Sequence, residues 1–226
     1  MTFWAPKLWS KSWSPFLLIP TKSKFIFLVV FTSQGASPTY TILSNSLYWA
    51  FAKSIDYAKG QGQALNFLGV VETIHEDYEK AITYYKDALK IRESLGDQYG
   101  VASIYNNIGN LYEELGDFPL AVENLRNSLD IRKVLKDTLR MARASNNLAV
   151  TFENYGDYTE ALKYARDYLA FAERLNEKEE IASALNSIGN IKAELERFDE
   201  ALESYQKSLA IREQMDDEYA LASIYN

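Results

Sequence analysis

Apolar side chains recur at helical spacing along the chain from about residue 46, and the whole pattern repeats every forty residues. An aromatic residue opens one segment of each unit: Tyr78, Phe118, Tyr158 and Phe198. An alanine follows three positions later (Ala81, Ala121, Ala161, Ala201), and a leucine eight beyond that (Leu89, Leu129, Leu169, Leu209). These positions share one helical face. A second apolar segment in each unit carries Leu68, Ile108, Leu148 or Ile188, followed by a small residue, Gly69, Gly109, Ala149 or Gly189. Asparagine stands in strict register at 66, 106, 146, 186 and 226.

Each unit therefore predicts two helices. The first pair is expected at about 63–75 and 78–95, and the later ones at 102–115 with 118–135, 142–155 with 158–175, and 182–195 with 198–215. Leu115-Gly116-Asp117 and Tyr155-Gly156-Asp157 mark the turns, with glycine for a left-handed helix end and aspartate to cap the next helix. Pro119 falls in a first turn, where its missing N–H costs nothing. The layout is a leader over 1–39, a partial repeat over 40–61 and an array over 62–226. Its repeats are 62–101, 102–141, 142–181 and 182–221, with a fifth starting at 222. A lone hairpin of this kind cannot bury its apolar face, so stability must come from stacking neighbours.

The leader shares nothing with the repeat. Lys22-Ser-Lys24, the apolar run Phe25–Phe31 and the small or polar Thr32–Ser37 follow the order of a secretory signal peptide. The preferred reading is thus a signal around 22–36, with residues 1–21 an upstream extension and the native start near Lys22. Export to the periplasm or exterior would follow, and a cytoplasmic location otherwise. A buried strand is the competing reading of the seven-residue run, which is too short to span a membrane.

Composition narrows the function. There is no cysteine and one histidine, His75, which excludes disulfides, thiolate catalysis and Cys- or His-rich metal sites. No cofactor is implied. Residues 1–57 hold five basic side chains and one acidic; residues 58–226 hold 19 basic and 30 acidic, a balance of −11. That balance speaks against nucleic acid, whose binding rests on Lys and Arg. Gly60-Gln-Gly62 lacks the third small residue and the preceding strand of a phosphate loop. Nothing positions a catalytic set, so the chain is read as a non-enzyme.

The small residue of the first helix, the aromatic at the turn and the alanine three later resemble a tetratricopeptide repeat. The unit is forty residues long where about 34 is usual. This longer form is similar to repeats in kinesin light chains, spindle-orientation adaptors and bacterial sensory proteins. The resemblance covers about 46–226 and implies an all-α, right-handed superhelical solenoid of antiparallel helix pairs. Departures are Ser145 at a position normally filled by a large side chain, and Glu196 at a turn glycine; both are expected to weaken packing.

In such arrays the first helices line the concave face. The resemblance implies that Asn66, Asn106, Asn110, Asn146, Asn186 and Asn190 form a ladder holding the main chain of an extended peptide. Ser103, Arg143, Ser183, Glu113 and Glu153 are expected beside it to set specificity. In the competing reading, the amides bond the neighbouring helix and fix its register. A recurring Ile-Arg closes the second helices, with arginine at 92, 132 and 212; Phe171-Ala172 replaces it in the third unit and is expected to mark a local pocket. The partner is thus a protein or extended peptide, without nucleic acid and without a membrane span in the repeats. The alternative is the sensor arm of a larger bacterial signalling protein, with a histidine kinase, nucleotide cyclase or transcription regulator beyond residue 226. The restart at Ala222–Asn226, with no capping helix after it, motivates that reading.

Overall fold

The computed structural model describes residues 17–20, 25–28, 50, 52–53 and 57–224, with side chains from 52 to 215. They fall into two compact units, Met1–Ile91 and Arg92–Asn226.

The first unit contains a strand pair and a helix pair. Strands β1 (Leu17–Pro20) and β2 (Phe25–Leu28) are antiparallel, with Leu17 opposite Leu28 and Pro20 opposite Phe25. β2 lies inside the segment read as a signal; the rest of 22–36 is outside the described residues, as are 40–49 of the partial repeat. Helices α1 (Ala58–Ile74) and α2 (Tyr78–Ser94) form the hairpin. A Cβ at Gly69 would lie 2.5 Å from the Tyr85 ring, so only glycine lets the two helices meet there. Gly60 and Gly62 are buried inside α1, which removes the phosphate-loop reading on structural grounds.

The second unit begins in the last turn of α2 and continues through α3 (Gln98–Glu114), α4 (Phe118–Leu135), α5 (Thr138–Tyr155), α6 (Tyr158–Leu175), α7 (Lys178–Glu194) and α8 (Phe198–Ile224). These pack as the pairs α3/α4, α5/α6 and α7/α8, with α4 against α5, α6 against α7, and α3 touching α5. Every connection in this unit uses one left-handed residue: Gly96, Gly116, Lys136, Gly156, Asn176 and Glu196, with φ between 56° and 84°. The residue after it is usually aspartate. Asp97, Asp117, Asp137 and Asp157 each accept the N–H three residues on, satisfying a donor that the helix leaves open. Pro119 sits in the first turn of α4 as its spacing predicts.

First helices start about four residues earlier than the sequence pattern suggests, at 98, 138 and 178 rather than 102, 142 and 182. Asp97 and Asp137 cap the starts at 98 and 138; Glu177 precedes the third without a side-chain cap bond. Gly100 lies within α3, and Arg92 crosses it to pair with Asp97; a Cβ there would lie 2.7 Å from Arg92 Cδ. Glu196 makes the turn that glycine makes elsewhere, at φ 58°. A further difference lies in α8, whose backbone runs unbroken from Phe198 to Ile224. Residue 216 stays helical where Gly96, Lys136 and Asn176 make a left-handed turn, so residue 222 lies within α8; Asn226 is outside the described residues.

The core is a seam of small and branched side chains between pairs. Leu125, Leu129, Leu148, Phe152, Leu162, Tyr164, Ile188 and Ile191 form one cluster. Phe152 and Tyr164 stack at 5.6 Å with rings almost parallel. Arg126 lies over Phe152 and donates to the Tyr164 hydroxyl at 3.0 Å. The close approach expected of alanine is present: a Cβ on Gly109 would meet Leu125 Cγ at 2.6 Å and the Ala121 carbonyl at 3.2 Å. In α8 the equivalent face is open, with Phe198 and Leu209 more than half exposed, because among the described residues no following pair covers it.

Candidate functional site: the first-helix face of the second unit

Helices α3, α5 and α7 carry the in-register asparagines onto one face, since positions three and four apart share a helix side. Two depressions lie there. One, of about 560 Å³, is lined by Asn110, Glu113, Phe118, Asn147, Val150 and Asn154, with Glu114 at its edge. The other, of about 340 Å³, is lined by asparagines 106, 107, 146 and 147, arginines 132, 140 and 143, and Ser103, Tyr168 and Glu180. The larger is acidic and the smaller basic.

The asparagines do different jobs. Asn147, one residue out of the repeating register, donates its amide to Asn106 Oδ1 at 3.1 Å and to Asn110 Oδ1 at 3.3 Å. That bifurcated contact ties α5 to α3. Asn190 accepts from the Tyr205 hydroxyl at 2.9 Å. Asn146 and Asn186 have no hydrogen-bond partner among the described residues; Asn146 is half-buried in the basic depression and Asn186 is exposed. Asn66 is half-buried on α1 of the first unit.

Glu113 is half-buried and accepts from Asn154 at 2.7 Å. Burial pushes the Glu153 carboxyl up, and the negative charge of Glu194 on the next first helix adds to it. Arg143 is exposed and makes no hydrogen bond or ion pair among the described residues. Ser103 lines the basic depression, its hydroxyl donating back to the Tyr99 carbonyl at 3.0 Å. Ser183 accepts from Arg212 at 3.4 Å.

The third unit departs from the others as Phe171-Ala172 suggests. Ala172 is buried where the other units have arginine. Tyr168, one helical turn earlier, is buried where Ala88, Ser128 and Ser208 stand elsewhere. Its hydroxyl donates to Glu180, whereas Ser128 and Ser208 donate to the carbonyls of Ala102 and Ala182 at 2.7 Å. The loss of a guanidinium is thus matched by the gain of a ring on the same face. Burial, followed by the bond to Glu180, raises the Tyr168 hydroxyl well above the usual phenol value.

Sequence reasoning missed Asn147, Asn154, Arg140, Tyr168 and Glu180, and it singled out Arg132 only as one of the arginines that close the second helices. The doubled asparagines at 106–107 and 146–147 were the available signal for Asn147. Among the described residues no group of His, Asp and Glu is arranged to hold a metal ion, and no helix is long and apolar enough to cross a membrane.

Antiparallel helix pairs on a forty-residue period, with polar side chains aligned along the first helices, define a helical-repeat interaction scaffold. The Tetratricopeptide repeat model matches residues 60–133, 100–174 and 140–214, and the chain belongs to that family. No curated protein matches it in sequence. Among solved structures it is similar to BtubC (BKLC) from P. vanneervenii, at 23% identity and a TM-score of 0.70, covering 79% of this chain and 75% of that one. A putative kinesin light chain from Podosopora anserina with nearly identical TPR-like repeats is 13% identical at a TM-score of 0.67, covering 80% and 90%. A Rap protein complexed with Competence and Sporulation Factor is 15% identical at 0.62, covering 80% of this chain and 60% of Rap. At these identities the likeness is one of fold.

Proposed function

We propose that the chain is a non-catalytic scaffold that binds an extended segment of a partner protein along α3, α5 and α7. The observation that carries this reading is Asn146, whose half-buried amide lines a depression and is bonded to nothing among the described residues. A side-chain amide offers both donors and an acceptor, the set needed to hold a peptide unit in any sequence context. Asn186, forty residues on, is likewise without a hydrogen-bond partner among the described residues, though it is exposed. Asn106 and Asn110 keep their own N–H donors even while their oxygens accept from Asn147. The similar Rap protein, solved with Competence and Sporulation Factor, supports a ligand-binding use of this fold. The reading holds equally for a free-standing adaptor and for the sensor arm of a larger signalling protein, since all the residues involved lie between 98 and 194.

The test is a selection of short random peptides displayed on phage, followed by hydrogen exchange of the protein with an enriched peptide. Protection of α3, α5 and α7, and loss of binding in the Asn146→Ala/Asn186→Ala double variant at unchanged melting temperature, are the expected results. Protection confined to α4, α6 and α8, or binding indifferent to both substitutions, would overturn the proposal.

A further inference from the structure

The smaller depression is basic in a repeat body that is strongly acidic, and the origin of that charge is local. In the preceding repeat Arg92 pairs directly with Asp97, the cap of α3, and Gly100 leaves room for the crossing. One unit later the same position carries Arg140 in place of glycine. Arg140 takes the cap for itself, its guanidinium 2.8 Å from Asp137 and its N–H donating to the same carboxylate at 3.2 Å.

Arg132, the counterpart of Arg92, is left without a direct acidic partner. It is 6% exposed, and its Nη1 donates to the Arg140 carbonyl at 3.0 Å. Its Nε is buried with no acceptor. Arg92 Nε shares that condition, but the Arg92 charge is balanced by Asp97. A buried guanidinium with open donors is costly unless an anion meets it. Burial lowers the Arg132 pKa most; the charge of Asp137 opposes it, and Arg140 and Arg143 add smaller depressions.

Arg143 stands on α5 at the mouth of the same depression, where the neighbouring units carry Ser103 and Ser183, and it has no partner. The acids nearby are spoken for: Asp137 holds Arg140, and Glu180 accepts from Tyr168. A cavity of about 340 Å³ is at the small end for a ligand site. It has room for an acidic side chain of a longer segment together with water.

We propose that this depression is a specificity subsite for an aspartate or glutamate side chain of the bound segment, received by Arg143 with Arg132 behind it and the Asn146 amide alongside. The subsite rests on the peptide-binding reading above and adds the chemistry of its ligand. Arg143 supplies a planar fork that matches a carboxylate in two parallel hydrogen bonds. Glu113, Glu153 and Glu194, lying toward the other ends of the first helices, disfavour an acidic side chain on that side.

The experiment is the same phage selection performed on wild type and on Arg143→Glu, with enriched peptides fused through their C-termini so that no free chain end is presented. Wild type is expected to enrich Asp or Glu at one fixed position, and Arg143→Glu to enrich Lys or Arg there instead. In a synthetic copy of an enriched peptide, Glu→Gln at that position should weaken binding about tenfold, the loss of a charge-assisted pair, while amidation of its C-terminus should change nothing. Peptides that depend on Asn146 but show no acidic preference would overturn the subsite and leave the peptide-binding reading standing. Absence of any Asn146-dependent peptide would overturn both. Sensitivity to C-terminal amidation in place of Glu→Gln would also overturn the subsite, because the carboxylate recognised would be a chain end. Arg143 is exposed, so the variants should fold; if Arg143→Glu melts lower, Arg143→Gln serves, with loss of acidic preference as the required result.

Discussion

Asn147 Nδ2 lies 3.1 Å from Asn106 Oδ1 on the preceding first helix and reaches Asn110 as well. The contact is lateral, from one repeat to the next, and it separates two asparagine roles that the forty-residue register superimposes. Asn147 joins α5 to α3; Asn146, its immediate neighbour, turns its amide to the open face. Replacing Asn147 by alanine should therefore destabilise the second unit by about 1–2 kcal/mol, two partly exposed hydrogen bonds being lost. Asn146→Ala should leave stability within about 0.5 kcal/mol of wild type. Urea unfolding of the two variants checks this; equal losses would remove the distinction.

Ser145 occupies a core position and its hydroxyl finds no partner. The cost comes from a desolvated polar group more than from missing volume. Ser145→Ala should raise stability by about 1 kcal/mol by removing that group and improving helix propensity. Thermal melting is the measurement, and a lower melting temperature would imply an acceptor for the hydroxyl.

Gly109 sits against Leu125 and the Ala121 carbonyl. Alanine is normally the better helix former, by about 0.5–1 kcal/mol. Here the added methyl would clash with the branch point of the fully buried Leu125 side chain and crowd the Ala121 carbonyl, and overpacking of this kind costs about 1–3 kcal/mol. Gly109→Ala should thus be net destabilising in chemical denaturation; a gain in stability would show that α3 and α4 can separate at no cost.

Glu153 is a carboxylate held up by burial and by Glu194. Its folded-state pKa lies above the ordinary 4.5, so the folded form binds the proton more tightly than the unfolded one. Its favourable contribution is present below the unfolded pKa and is lost as pH rises through the folded one. Glu153→Gln should accordingly raise the melting temperature at neutral pH and lose that advantage below about pH 4. A melting difference independent of pH would assign the effect to packing.

Much of the array is legible in the chain because its signals are local. Gly116, Gly156 and the aspartates that follow them mark turns through backbone conformation and a cap three residues away, with no help from distant residues. The Ala121 position declares a close helix contact by its size alone. The first helices begin about four residues before the repeating apolar pattern does, at 98, 138 and 178, because their opening turns carry mostly polar, cap-adjacent residues that the apolar spacing does not register. Glu196 illustrates the converse: a residue with no turn preference is held at positive φ by the helices it joins.

By itself, then, the sequence determined the period, the helix pairs and the face on which asparagines align, since these follow from spacing within thirty or forty residues of chain. The tertiary structure decided which asparagine bridges and which stays open, and why Arg132 lost the acid that Arg92 keeps. The first outcome turns on Asn147 reaching the preceding first helix; the second turns on Arg140, standing where the preceding repeat has Gly100, occupying Asp137 once the helix and its cap have formed, which leaves Arg132 to the Arg140 carbonyl.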